Sequence, residues 1–295
     1  MIRIIKSPLV LILIFVFLTN IRSSAQVRDL GGVDYSFISG NGDDPNFSRA
    51  RVWINIPIKL KKEGYYIVNG FRYANAKINF NSPVGFSTSD LEEFHALEYT
   101  LGYTYPINEK WRFTAQFNPT ISSNLVNDLS FNDVILSGGI ILIRTLNEKK
   151  KTRLSVGLTY SQTIGIPAPI PFINYWREVN DHLTYTLGFP ISKAKYFFGD
   201  KKNSLEAFVR LDGYFANLSN DLVLPDGSNA EKLSLSQVIT GIGFDKYYGK
   251  RANLFVKAGY TLRNSLRLNE NTSDEVFDFN LSNAFFFRAG FKFNL

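Results

Sequence analysis

The sequence predicts an all-β protein, an antiparallel up-and-down transmembrane β-barrel of about 14 strands that follows a cleaved leader. Three observations predict it. Apolar and polar residues alternate with period two over one segment after another, as a strand with two different faces requires. The connections alternate between short charged turns and longer polar stretches, the loop asymmetry of a membrane barrel. The chain closes on AFFFRAGFKFNL, an apolar strand with no turn after it. Such an edge would recruit other chains in water, but in a closed barrel it pairs with the first strand and turns its greasy face to lipid.

The chain has 295 residues. Residues 1–25 read as a signal peptide. Arg3 and Lys6 precede an apolar run, Leu9 to Leu18, that is too short for a spanning helix, and Ser23-Ser24-Ala25 supplies small residues for cleavage before Gln26. Residues 26–295 then form one domain, the barrel. Arg3, Lys6 and Arg22 leave with the leader, so the net charge of +7 falls by three to +4. That is too mild to argue for a nucleic-acid partner. With no cysteine the chain has no lipid-anchored thioether, no disulfide and no thiol chemistry.

The strands follow in order. Val52, Ile54, Ile56 and Ile58 oppose Arg51, Asn55 and Lys59. Leu97, Tyr99, Leu101, Tyr103 and Tyr105 oppose Glu98, Thr100, Gly102 and Thr104. Trp111, Phe113, Ala115 and Phe117 oppose Arg112, Thr114, Gln116 and Asn118. Residues 153–161 and 254–263 repeat the scheme, and the final strand sets Phe285, Phe287, Ala289, Phe291 and Phe293 against Phe286, Arg288, Gly290, Lys292 and Asn294. Short turns fall at 61–64, 106–110, 147–151, 199–203 and 249–251. Longer polar stretches fall at 39–48, 79–91, 122–132, 217–231 and 264–275. Pro167, Pro169 and Pro171 argue that 166–172 is not interior strand. A hairpin is expected about Asn180-Asp181. A tight turn at Pro190 makes the count 14, whereas one kinked strand over 183–198 makes it 12.

Trp53, Trp111, Tyr65, Tyr66, Tyr103, Tyr105, Tyr247 and Tyr248 lie near strand ends and are expected to form an aromatic girdle at the membrane surface. The polar parity nominates the lumen: Arg49, Arg51, Glu98, Arg112, Arg153, Glu206, Arg210, Asp212, Lys257, Arg263, Arg288 and Lys292, with Phe286 as the large aromatic that would plug it. Nine of these are basic and three acidic, which favours anionic solutes if the lumen is open. If the cations instead pair with acids across a filled interior, nothing passes.

Chemistry is sparse. His95 and His182 are the two histidines, and neither sits in a recognisable nucleophile-base arrangement, so no catalytic residue is assigned. Asn41-Gly42-Asp43-Asp44 and Asp221 with Asp226 lack calcium-loop spacing, so no metal or cofactor is expected.

Residues 47–60 (FSRARVWINIPIKL), 101–116 (LGYTYPINEKWRFTAQ), 153–178 (RLSVGLTYSQTIGIPAPIPFINYWRE) and 183–198 (LTYTLGFPISKAKYFF) resemble an uncharacterised outer-membrane β-barrel family, a domain of unknown function in Gram-negative bacteria. A weaker likeness is to porin-like and fatty-acid-transporter barrels. The resemblance implies a barrel in the outer membrane and brings no activity or ligand. The last strand also resembles the signal read by the outer-membrane assembly machinery, carried here by Phe285, Phe287, Phe291, Phe293 and Leu295, with Leu in the terminal place usually held by Phe. The leading expectation is porin-like passage of small anionic or amphipathic solutes by a monomer. The alternatives are a closed barrel that binds through its loops or serves as a structural envelope protein and, remotely, a lipid-modifying enzyme.

Overall fold

The computed structural model describes residues 29–147 and 151–294. The expected leader and Leu295 lie outside the described residues. Fifteen strands follow in order: β1 (Asp29–Ile38), β2 (Asn46–Lys59), β3 (Tyr66–Asn79), β4 (Glu93–Pro106), β5 (Trp111–Ser123), β6 (Val134–Asn147), β7 (Thr152–Ser161), β8 (Ala168–Glu178), β9 (Leu183–Phe189), β10 (Ile191–Phe198), β11 (Asn203–Val223), β12 (Asn229–Tyr248), β13 (Ala252–Asn269), β14 (Glu275–Asp278) and β15 (Phe285–Asn294). Each wall strand pairs antiparallel with its sequence neighbours, and β1 pairs with β15 through Val33↔Phe291, Tyr35↔Ala289 and Phe37↔Phe287. The sheet therefore closes. β14 pairs only with the far end of β13, so fourteen strands form the wall.

Closure leaves no free edge strand in the wall, as a backbone in hydrocarbon demands. The outward parity is apolar and exposed: Val52, Ile54, Ile56 and Ile58 on β2, Leu97 and Leu101 on β4, and Phe285, Phe287 and Phe293 on β15. At the short-turn end Tyr65 stacks on Tyr105 with centroids 5.4 Å apart, and Tyr105 meets Phe113 at 5.2 Å. Three expected girdle residues depart. Trp53 lies in mid-strand, where its ring covers Gly32. Tyr66 is buried, and Tyr247 lines an interior cavity.

The proline segment also differs from expectation, because β8 begins at Ala168 and includes Pro169 and Pro171. Both lie beyond the last β8–β9 pair, Ile173↔Phe189, where β8 has a neighbour on the β7 side only. A residue without an N–H is tolerated on such an edge. The hairpin turns at Asn180-Asp181 and Pro190 are both present.

The largest departure is in strand length. The stretches 217–231 and 264–275, read as loops from their polarity, are mostly strand: β11 has 21 residues, β12 20 and β13 18, against 7 for β9 and 8 for β10. The far half of β11 has no partner in β10, whose pairing stops at Ile191↔Arg210. Instead it leans across the mouth to the end of β5, where Asn217 pairs with Ser123.

Candidate functional site in the barrel interior

Inward-facing residues form three layers along the barrel axis. The layer at the long-loop end is apolar. Phe47 from β2, Ile78 from β3, Phe94 from β4, Tyr214 and Leu218 from β11, Leu235 from β12, Leu266 from β13 and Phe286 from β15 join one buried cluster. Phe286, the expected plug residue, is 3% exposed and meets Phe208 edge-on at 6.4 Å. Above it Phe80 and Phe86 from the β3–β4 loop pack with Phe277 of β14 and Phe279 just after it, with Phe277 and Phe279 centroids 4.9 Å apart. The segment before β15 is tied to the neighbouring β1–β2 loop, since the Ser282 amide donates to Asp44 Oδ2 at 2.9 Å.

Polar contacts hold the leaning end of β11. Asn217 Nδ2 donates to Asp133 Oδ1 at 2.7 Å, Lys232 Nζ donates to Asn217 Oδ1, and the Ser219 amide donates to Asn124 Oδ1 at 2.9 Å. Asp133 ends a short turn before β6 and also accepts the Ser130 amide at 2.7 Å. Burial alone would raise the Asp133 carboxyl, but the Ser130 amide and the Asn217 side chain hold it below the ordinary carboxylate range. The strand run Tyr214–Leu218 is buried on both faces, because the cluster lies on one side and β5 with its following loop on the other. Gly213 allows the close approach of the 162–165 loop. A Cβ there would stand 1.9 Å from the Gln162 carbonyl oxygen.

The middle layer is made of arginine and aspartate. Asp34 on β1 bridges Arg51 (2.8 Å) and Arg288 (2.8 Å), and Asp212 on β11 bridges Arg49 (2.8 Å) and Arg210 (3.0 Å). Arg72 pairs with Glu98 at 3.0 Å beside them. Arg49, Arg51, Glu98, Arg112, Arg210 and Asp212 all line a cavity of about 810 Å³. Arg112 sits at its short-turn end, donating to the Gly64 carbonyl at 3.1 Å.

The third layer is lysine-rich. Glu206 accepts Lys257 and lies 3.5 Å from both Lys193 and Lys195, while Lys195 also reaches Asp245 at 2.9 Å. Lys292 pairs with Asp29 at 2.8 Å. The Phe255 ring lies under Arg288 and Lys292 at 5.5 and 5.4 Å, contacts that suit cations over an aromatic face. A second cavity of about 760 Å³ is lined by Lys193, Lys195, Lys292 and Asp245, and it reaches the turn residues Lys201 and Lys250. Arg153 lies over the Trp176 ring at 5.2 Å, and Trp176 lines this second cavity.

Arg263 departs from its expected lumen position. β12 and β13 shift register between Val238↔Arg263 and Ile239↔Thr261, so Leu262 bulges. A bulge inserts one residue and reverses the parity beyond it. Arg263 is consequently exposed and opposite Val238. Sequence reasoning missed Asp29, Asp34 and Asp245 on the acidic side and Lys193 and Lys195 on the basic side. Asp34 was recoverable, since it falls between outward Val33 and Tyr35 on a plain alternation. The two histidines are not brought together. His95 Nδ1 meets the Tyr73 hydroxyl at 2.8 Å, while His182 Nδ1 meets the Phe197 carbonyl at 3.0 Å in a short turn. Among the described residues no three acidic, histidine or cysteine side chains are grouped as metal ligands.

A closed fourteen-stranded antiparallel wall with an apolar outer belt and a charged interior defines a transmembrane-type β-barrel. Residues 39–294 match the profile of a family described as a domain of unknown function (DUF6268), and the chain belongs to that family. No curated protein matches the sequence. Among solved structures, the KdgM porin aligns at 10% identity and a TM-score of 0.37, covering 90% of this chain and 99% of that one. The toluene transporter TodX of P. putida aligns at 9% identity and 0.47, covering 92% and 90%. The translocator domain of the autotransporter NalP from Neisseria meningitidis aligns at 9% identity and 0.37, covering 97% and 96%.

Proposed function

We propose that the protein resides in the outer membrane of a Gram-negative bacterium and passes small anionic or amphipathic solutes as a monomer, here in a conformation with its outer mouth closed. The short turns face the periplasm and the long loops face outward, the usual sense of such barrels. The observation that carries the reading is the charged, partly hollow interior, in which arginines and lysines outnumber the acids along both cavities. Low-dielectric walls focus that excess into an attraction for anions. No catalytic role goes to His95 or His182. The β15 strand would also be the segment that the assembly machinery reads.

Planar-bilayer recording of the refolded protein tests this. The expected result is brief openings with anion preference. No conductance, either from the wild type or from a variant with a weakened outer cluster, refutes passage, and so does cation preference. A second reading is favoured by the apolar cluster itself: a barrel that stays closed and presents its loops to an envelope or surface partner. It predicts no conductance under any of these conditions.

A further inference from the structure

We propose that the arginine layer is a binding site for one doubly charged oxyanion, of the sulfate, phosphate or dicarboxylate class. The inference deepens the passage reading, since it names the place in the lumen where an anion would pause. The four guanidinium groups of Arg49, Arg51, Arg210 and Arg288 face two carboxylates, Asp34 and Asp212, leaving two positive charges. The four arginine side chains are 8%, 15%, 22% and 13% exposed. Guanidinium does not lose its proton in a protein, so this excess persists at every working pH. Buried uncompensated charge is costly, and a counter-charge offsets it.

Donor geometry points the same way. Arg49 Nε, Arg210 Nε and Arg288 Nε are buried without a hydrogen-bond partner, although a buried donor ordinarily has one. Arg51 differs, because its Nε and Nη2 both donate to Asp34 Oδ1 at 2.9 and 2.8 Å. Arg49 and Arg51 are two residues apart on one face of β2, roughly 7 Å along the strand. They join the Asp34 bridge on the β1–β15 side to the Asp212 bridge on β11. Asp34 and Asp212 therefore act as spacers that link the four arginines into one layer, with Arg288 held beside Arg51 through Asp34. Arg49, Arg51 and Arg210 open onto the 810 Å³ cavity, so an anion reaches them from water. Planar guanidinium forks match the oxygen spacing of carboxylate, sulfate and phosphate.

Calorimetric titration of the full refolded protein in detergent at low ionic strength tests the site, with sodium sulfate and sodium malonate as probes and sodium chloride as the reference. The expected result is binding of sulfate or malonate at one per barrel, weakened roughly tenfold or more in Arg210→Gln or Arg288→Gln, the loss expected of one charge-assisted contact. Wild-type heats that match chloride for both probes overturn the proposal. So does binding left unchanged in both variants. If one variant does not fold, the other carries the siting test, and the wild-type titration refutes the site without either. The two readings fail separately. Anion binding by a barrel that never conducts removes the passage reading and keeps the site. Conduction without selective sulfate or malonate binding does the reverse.

Discussion

Phe285 and Phe286 are adjacent in sequence and opposite in consequence. Phe285 is 73% exposed on the outer wall and Phe286 is 3% exposed within the outer apolar cluster. Truncating Phe286 to alanine removes the ring that meets Phe208, beside Ile38 on the neighbouring strand, and leaves a hole in the buried cluster. Phe→Ala in a packed interior costs about 3–5 kcal/mol. Taking about 3, and assigning that loss to the closed arrangement, the closed-to-open ratio falls roughly 100-fold. Single-channel recording reads this directly as a rise in open probability. Phe285→Ala is the matched control, because its ring meets lipid and takes no part in closure. It should leave gating unchanged. The reasoning is refuted if Phe286→Ala folds, as judged by its urea midpoint, and opens no more often than Phe285→Ala.

Three further outcomes follow from the mouth of the barrel. Asp133→Ala strips Asn217 of its acceptor at the β11–β5 junction; a buried donor left unpaired costs about 1–3 kcal/mol, so amide exchange at Asn217 and Ser219 should quicken while exchange in β1 stays slow. Because the Asp133 carboxyl is held below its ordinary value, its contribution to closure is complete above the ordinary Asp range and fades as pH falls through the lowered value; wild-type openings should multiply as the pH is taken below that range, and Asp133→Asn should remove that acid response. Gly213→Ala drives a Cβ into the Gln162 carbonyl, a backbone atom that must move, so the 162–167 loop should become sensitive to protease with the barrel wall intact.

The wall was legible in the sequence because membrane barrels repeat one rule along every strand. Val52 to Ile58 outward and Arg51 with Asn55 inward needed only parity, and the same counting paired β15 with the strand holding Val33, Tyr35 and Phe37. Parity fails at one inserted residue, which is why Arg263 was misplaced by the bulge at Leu262. It also fails where both faces of a strand are covered. Tyr214–Leu218 carries Asn217 among apolar residues, and the polar stretch after it reads as a loop until β5 is known to lie against it. The bridges of the arginine layer were invisible for another reason. Arg49 and Asp212 are 163 residues apart in the chain and meet across the lumen, and no local pattern encodes which cation finds which acid.

Strand length explains why the outer end is closed. At about 3.3 Å per residue and a tilt near 45°, the 7–11 residues of β8, β9 and β10 rise roughly 16–26 Å, no more than the hydrocarbon thickness. The 21 residues of β11 rise roughly 49 Å on the same terms, against a core of about 30 Å. The surplus must stand in water. A ribbon of β11, β12 and β13 standing there would expose Tyr214, Leu218, Leu233, Leu235 and Leu266, each worth about 1.5–3 kcal/mol when buried. Leaning over the short strands to β5 buries them at once against Phe47, Ile78 and Phe94 from the opposite wall. The same step leaves β7–β10 low, so the 162–167 loop can reach Gly213, and it leaves the arginine layer as the first charged level beneath the cluster. Closure is thus the hydrophobic consequence of unequal strands, and a solute that enters from the long-loop end must displace the β11 ribbon, held at its end by Asp133 and Asn217, before it meets Arg49 and Arg210, which are open to the cavity on the short-turn side.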